Sequence, residues 1–249
     1  MNRLHLVRTT GIALIALVVM SNVPYIRLIQ TFEYDDILRE PVDYVLAEFQ
    51  AGGAALILTW FLFGLAALLL IPASLLLHRV VDRPDTPYLE AATAMGALSG
   101  LLQAVGLMRW VFVVPILAQL QTNPATDDAT RAAVAVAYQV VHQYGGVVIG
   151  EQLGQLLLVG WTLGLGAAML RSPLFKPWLA WFGLLTAPLL LLGQSELLAT
   201  VIPAVPVIES TPIGFILWEV WLLLVGVALV RVPQRRLAQE TPNFTRSAV

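Results

Sequence analysis

Residues 52–77 read GGAALILTWFLFGLAALLLIPASLLL, an apolar run without one charged side chain. A hydrocarbon core about 30 Å thick takes about 20 helical residues, and lipid offers no water to an unpaired backbone, so the run predicts a spanning α-helix. Five more segments qualify in the same way: 10–29, 91–117, 146–170, 178–201 and 213–230. A transmembrane β-barrel would need short segments of alternating polarity, which the sequence lacks. Composition points the same way: of 249 residues, 58% are hydrophobic and only 12% charged, against about 25% charged in a soluble domain. The predicted fold class is therefore all-α, a polytopic membrane protein built as a six-helix transmembrane bundle over residues 1–236, with a polar cytoplasmic tail at 237–249.

The charged residues between the spans set the expected orientation. With the N-terminus inside, Arg3, Arg8, Arg79, Arg83, Arg171, Lys176, Arg231, Arg235, Arg236 and Arg246 are cytoplasmic, while Arg27, Arg39 and Arg131 face out. That asymmetry follows the positive-inside rule and predicts a bacterial cytoplasmic membrane protein with both termini inside. The opposite side collects Glu33, Asp35, Asp36, Glu40, Asp43, Glu48, Asp127, Asp128 and Glu209, an acidic outer face. The Met20-Ser21-Asn22-Val23 neighbourhood lacks the small-x-small pattern of a cleaved leader, so the first span reads as helix one. Pro41 and Asp127 or Asp128 are placed to begin helices that run ahead of the second and fourth spans, as two outer-face interfacial elements.

Net charge is −2, with no basic stripe, which argues against a nucleic-acid partner. The bilayer itself and a membrane-protein partner are the expected associations. With no cysteine, the chain has no disulfide, thiolate nucleophile or Cys-ligated metal. His5, His78 and His142 fall at different depths, so no bis-histidine haem is expected, and neither His-x-x-x-His nor Glu-x-x-His occurs. No Gly-x-Ser-x-Gly elbow is present either. Neither a cofactor nor an enzymatic activity is expected.

Ionisable groups inside a bilayer cost about 2.5 to 3.5 kcal/mol each on insertion scales and therefore tend to face the bundle interior. Apart from Arg27, at the outer end of the first span, four lie in these spans: Arg109, Glu151, Glu196 and Glu219. Arg109 is 19 residues beyond Glu90, Glu151 is 20 before Arg171 and Glu196 is 20 beyond Lys176, which puts the three in one layer of the outer half. Glu219, 12 residues before Arg231, lies nearer the midplane. The guanidinium of Arg109 is expected to clamp Glu151 or Glu196, leaving at least one glutamate to hold a cation or carry a proton. Gln103, Gln152, Gln155 and Gln194 are available as neutral partners. A structural reading of this cluster, as a clamp fixing helix packing, stands beside a ligand or proton site.

Gly146, Gly150 and Gly154, then Gly160 and Gly164, predict a close-packed seam, with Gly96 and Gly100 as its expected counterpart in the third span. Pro188 is expected to kink the fifth span. Trp60, Trp161, Trp218 and Trp221 should pack the bundle, whereas Trp178, Trp181 and Trp110 should sit at the interfaces. Phe49-Gln50-Ala51-Gly52-Gly53 resembles His142-Gln143-Tyr144-Gly145-Gly146, and Val113-Val114-Pro115 echoes Val201-Ile202-Pro203, the pattern of a parallel repeat of spans two and three in spans four and five.

Arg8-Thr9-Thr10-Gly11-Ile12 and the run Gly106-Leu107-Met108-Arg109-Trp110-Val111-Phe112-Val113-Val114-Pro115 resemble a bacterial family of six-span proteins known only as a domain of unknown function. The resemblance implies a six-helix bundle and marks Arg109 as a residue of interest. The expected function is that of a non-enzymatic accessory or regulatory membrane subunit with a buried Arg/Glu cluster. A small proton- or cation-linked transporter or channel is the alternative.

Overall fold

The computed structural model describes residues 2–233. The predicted tail at 237–249, with Arg235, Arg236 and Arg246, lies outside the described residues. Nine α-helices are found among the described residues: α1 Arg3–Phe32, α2 Val42–Leu68, α3 Leu70–Val81, α4 Leu89–Phe112, α5 Val114–Thr122, α6 Asp128–Val141, α7 Gly154–Arg171, α8 Pro177–Ala199 and α9 Thr211–Val230. A 3₁₀ turn, Asp36–Arg39, joins α1 to α2, and a π-helical segment, His142–Leu153, joins α6 to α7. They form six helices long and apolar enough to cross a membrane: Arg3–Phe32, Val42–Val81, Leu89–Thr122, Asp128–Arg171, Pro177–Ala199 and Thr211–Val230. The predicted six-span architecture is thus present.

As expected at Pro41 and Asp127, the second and fourth spans are longer than a membrane core is thick: helical runs of 40 and 44 residues begin ahead of the apolar segments, the first of them kinked at Gly53. Asp127 caps the longer one by accepting the Thr130 N–H at 2.7 Å. The third span also continues past a break at Val113 into α5, where Pro115 starts the new helix. These extensions all project at the end carrying Glu33, Asp35, Asp127 and Asp128, hereafter the acidic end. At the basic end, Arg3 donates to the carbonyls of Arg79 and Val80 at 2.9 and 2.8 Å, and Arg171 donates to the carbonyl of Asp85 while lying over the Tyr88 ring.

The helices form a ring in chain order. α1 packs on α2 and α3, α2 and α3 on α4, α4 on α7, α7 on α8 and α8 on α9, and α9 returns to α1. The last contact is tight because a Cβ on Gly11 would stand 2.5 Å from the carbonyl oxygen of Gly226. Leu14, Leu77, Trp161, Leu165, Trp221 and Val225 fill the half of the ring nearer the basic end. A second core, with Phe32, Phe49, Trp60, Trp110 and Tyr138, knits α1, α2, α4 and α6 together toward the acidic end. Large apolar side chains point outward from every span, among them Ile12, Leu58, Val105, Val148, Leu185 and Ile216, as a lipid-facing surface requires. Trp110, expected at an interface, is instead fully buried and stacked on Trp60 with ring centroids 4.7 Å apart.

The α4 seam against the fourth span runs its whole length, but its register differs from the sequence reading. Gly164 faces Ala92, Gly160 faces Met95, and the Ser99 hydroxyl donates to the Gly154 carbonyl at 2.7 Å. Gly96 does take part, accommodating Trp161. Gly100 faces the Ala67 carbonyl on α2 instead, and the closest approach falls at Gly106, where a Cβ would stand 2.6 Å from Gly150 Cα. Pro188 is housed inside α8 without ending it.

Candidate functional site

Arg109 lies on α4 three residues from that closest approach, and the backbone opposite it is unusual. From His142 to Leu153 the fourth span winds as a π-helix, a form that is rare in soluble proteins and concentrated at functional sites. Its glycines leave room for the guanidinium: a Cβ on Gly146 would come within 2.5 Å of Arg109 Cζ and Nη2. Across the ring, α2 breaks at Gly53, with φ 56° and ψ −150°, a conformation essentially confined to glycine. Phe49 and Trp60 on either side of that break both stack on Trp110. Two spans therefore leave α geometry around the Arg109–Trp110 pair, at the two stretches, 49–53 and 142–146, that resemble each other in sequence.

The expected clamp is absent. Arg109 is only 7% exposed, and its one hydrogen bond is donated by Nη1 to the Gly106 carbonyl at 2.6 Å. Its Nε is buried without a partner, and its Cζ stands 5.3 Å from the ring centre of Trp110. Glu151, half-buried on the π segment, interacts with Arg109 electrostatically without forming an ion pair with it. Glu196 turns away to Arg39, whose Nη2 it meets at 2.9 Å at the acidic end. Glu219 accepts from the Asn22 amide at 3.0 Å, a bond that ties α9 to α1. Gln155 and Gln194 bond each other across α7 and α8, the Gln194 amide donating. Gln103 donates to the Ser99 hydroxyl at 2.8 Å. The six singled-out residues are thus divided among three bonded pairs and one open pair, Arg109 and Glu151.

The ion-pair expectation failed for a steric reason. Arg109 projects onto Gly145 and Gly146, one turn before Glu151 along the π segment, and the Gly106 carbonyl takes its Nη1. The 3₁₀ turn meanwhile brings Arg39 within reach of Glu196, a long-range encounter that spacing along the chain cannot reveal.

Several participants carried no sequence signal. Tyr34, in the loop after α1, packs its ring edge-on against Trp60 at 5.0 Å and interacts electrostatically with Arg109 and Glu151. Burial, with the carboxylates of Asp35 and Glu151 nearby, raises its hydroxyl well above the ordinary tyrosine value, so it remains a protonated donor. The Tyr25 hydroxyl donates to Asp35 at 3.1 Å. Loss of hydration raises the Asp35 carboxyl, an effect the Tyr25 bond opposes. Arg39 is raised by its bond to Glu196. The indole N–H groups of Trp60 and Trp110 and Nδ1 of His142, stacked on Tyr138, are also buried without partners. Among the described residues, no three His, Asp or Glu side chains stand close enough to hold a metal ion.

The family described as Domain of unknown function (DUF4386) matches residues 9–226, most of the chain, from within the first span to within the sixth. No curated protein and no solved structure matches the chain.

Proposed function

Because the chain belongs to the DUF4386 family, we propose that it is a non-enzymatic integral membrane protein, an accessory or regulatory subunit that binds a small polar ligand beside Arg109. The observation that carries this reading is the open guanidinium: a buried cation in a membrane span with no carboxylate partner, facing a π-helical backbone. A purely structural arginine would have a paired carboxylate, because an uncompensated buried charge is expensive. Placement in a bacterial cytoplasmic membrane, with the basic end inside, is part of the same proposal and is supported by the arginine asymmetry.

Arg109→Met tests the reading, since it keeps most of the side-chain volume and removes the charge. Removing a buried charge that has no carboxylate partner also removes its desolvation cost. The full chain carrying Arg109→Met, purified in mild detergent, should therefore melt at or above the wild-type temperature. Native mass spectrometry should find a small molecule on the wild type and none on the variant. Equal small-molecule content in the two proteins would sink the proposal, as would a variant that is simply unfolded while Arg109→Lys is normal in both measurements.

A second reading, a small transporter, is favoured by the irregular backbone at Gly53 and at 142–153, since broken helices line substrate sites in transporters. It requires solute flux or pH-dependent flux in liposomes that Arg109→Met abolishes.

A further inference from the structure

A groove of about 290 Å³ lies between α2 and α5, toward the acidic end. Its walls include Gln50, Gly53, Ala54 and Ile57 of α2 and Pro115 and Gln119 of α5. That volume is close to the lower bound of about 300 Å³ for small-molecule pockets. The break in α2 shapes one wall: at Gly53, φ 56° and ψ −150° take the backbone out of helical form, and a Cβ there would meet nothing within 4 Å. The groove is therefore open down to the main chain. Pro115, which starts α5 after the break at Val113, shapes the other wall.

The groove sits where two apolar runs end. The run of the second span begins at Gly52 and that of the third ends at Leu117, so Gln50 and Gln119 stand just outside the runs, while Ala54, Ile57 and Pro115 stand just inside. Leu58 and Ile116, the chain neighbours of Ile57 and Pro115, belong to the lipid-facing surface and are 56% and 59% exposed. The groove thus continues into the surface that meets acyl chains.

Its lining narrows the occupant. No charged side chain is in it, so a phosphate or ammonium would enter without a counter-charge. Each glutamine amide offers two N–H donors and a carbonyl acceptor. Both side chains are exposed, and among the described residues neither makes a hydrogen bond. Non-helical backbone at membrane depth, as at Gly53, is tolerated where protein covers it or where it borders a polar space. An uncharged group that accepts hydrogen bonds and continues into hydrocarbon meets all of these demands. The glycerol-ester region of a membrane lipid is such a group, with two carbonyl acceptors at the heads of two acyl chains.

We propose that the groove between α2 and α5 holds the glycerol-ester region of a diacyl lipid from the leaflet at the acidic end. Its ester carbonyls accept from the Gln50 and Gln119 amides, and one acyl chain runs along Ile57 toward the midplane. The site is separate from Arg109 and does not depend on a ligand there.

The test is a lipid titration of the delipidated full chain in mild detergent, read by native mass spectrometry and thermal shift. The probes are phospholipids with two ester-linked chains, each compared with the ether-linked lipid of the same chains and headgroup, which lacks both carbonyls. The diester should bind at least about fivefold more tightly, the effect of about one neutral hydrogen bond, and the preference should be the same for choline, ethanolamine and glycerol headgroups. Gln50→Leu and Gln119→Leu should each reduce the preference, and the double variant should abolish it. Ala54→Trp, at an exposed wall position, should lower the affinity for both lipids by filling the groove. Equal affinity of wild type for diester and diether overturns the proposal, and that comparison needs no variant to fold. A preference that persists in the double variant, or one that follows the headgroup, overturns it as well. So does binding of no lipid, or a water-soluble molecule retained by the wild type and lost from Ala54→Trp.

Discussion

Asp127 and Asp35, both at the acidic end, respond to acid with opposite signs. The carboxylate of Asp127 accepts the Thr130 N–H, and that bond holds it below the ordinary value of 3.8. Its stabilisation of α6 is present in full above that ordinary value and is lost as pH falls toward the lower folded value. Asp35 is held above 3.8 by lost hydration, so its ionised form weakens the fold at neutral pH, and stability returns as pH falls through the raised value. Asp127→Ala should speed amide exchange in the first turn of α6 at neutral pH, the difference from wild type vanishing in strong acid. Asp35→Asn should be at least as stable as wild type at neutral pH and should lose the stability gain on mild acidification, both read by thermal unfolding in detergent. At this scale the sequence was informative wherever a charge interrupted an apolar run. Arg109, Glu151 and Glu219 announced themselves by their cost. Tyr34 did not, because a tyrosine in a loop carries no such cost, and its role arises only when the chain folds it back onto Trp60.

Helix identity was legible from apolar length alone, whereas helix form was not. When a span is apolar on nearly every face, a periodicity of 3.6 cannot be told from the wider π winding, so the 142–153 segment left no trace beyond its glycines. The glycines themselves separate into two kinds, and substitution can tell them apart. A methyl at Gly106 would strike Gly150 Cα, backbone against backbone, and should cost about 1 to 3 kcal/mol, rising further with Val as α4 is forced off the π segment. At Gly53 a methyl meets nothing within 4 Å, yet the φ of 56° strains any other residue by about 1 to 3 kcal/mol. Loss at Gly53 should therefore be nearly the same for Ala and Ser, which chemical unfolding in detergent will show. The seam was visible in the sequence as glycines four apart, but its true partner, Gly106, was hidden because one isolated glycine has no spacing to betray it.

The whole molecule offers a clean test of orientation, because the chain contains no cysteine. A cysteine at exposed Asp128 should react with a membrane-impermeant maleimide on intact cells, and one at exposed Asp85 only after permeabilisation. The reverse pattern would invert the proposed topology. Six spans could be read from the sequence, since they depend on composition along the chain. The ring order could not, because which helix meets which is decided by shape, as where Gly11 and Gly226 let α1 and α9 touch. That contact joins helices that are far apart in the chain: α1 is synthesised well before α9, so the Gly11 face and the Asn22 amide gain their partners, Gly226 and Glu219, only once α9 has been made, and the ring closes there.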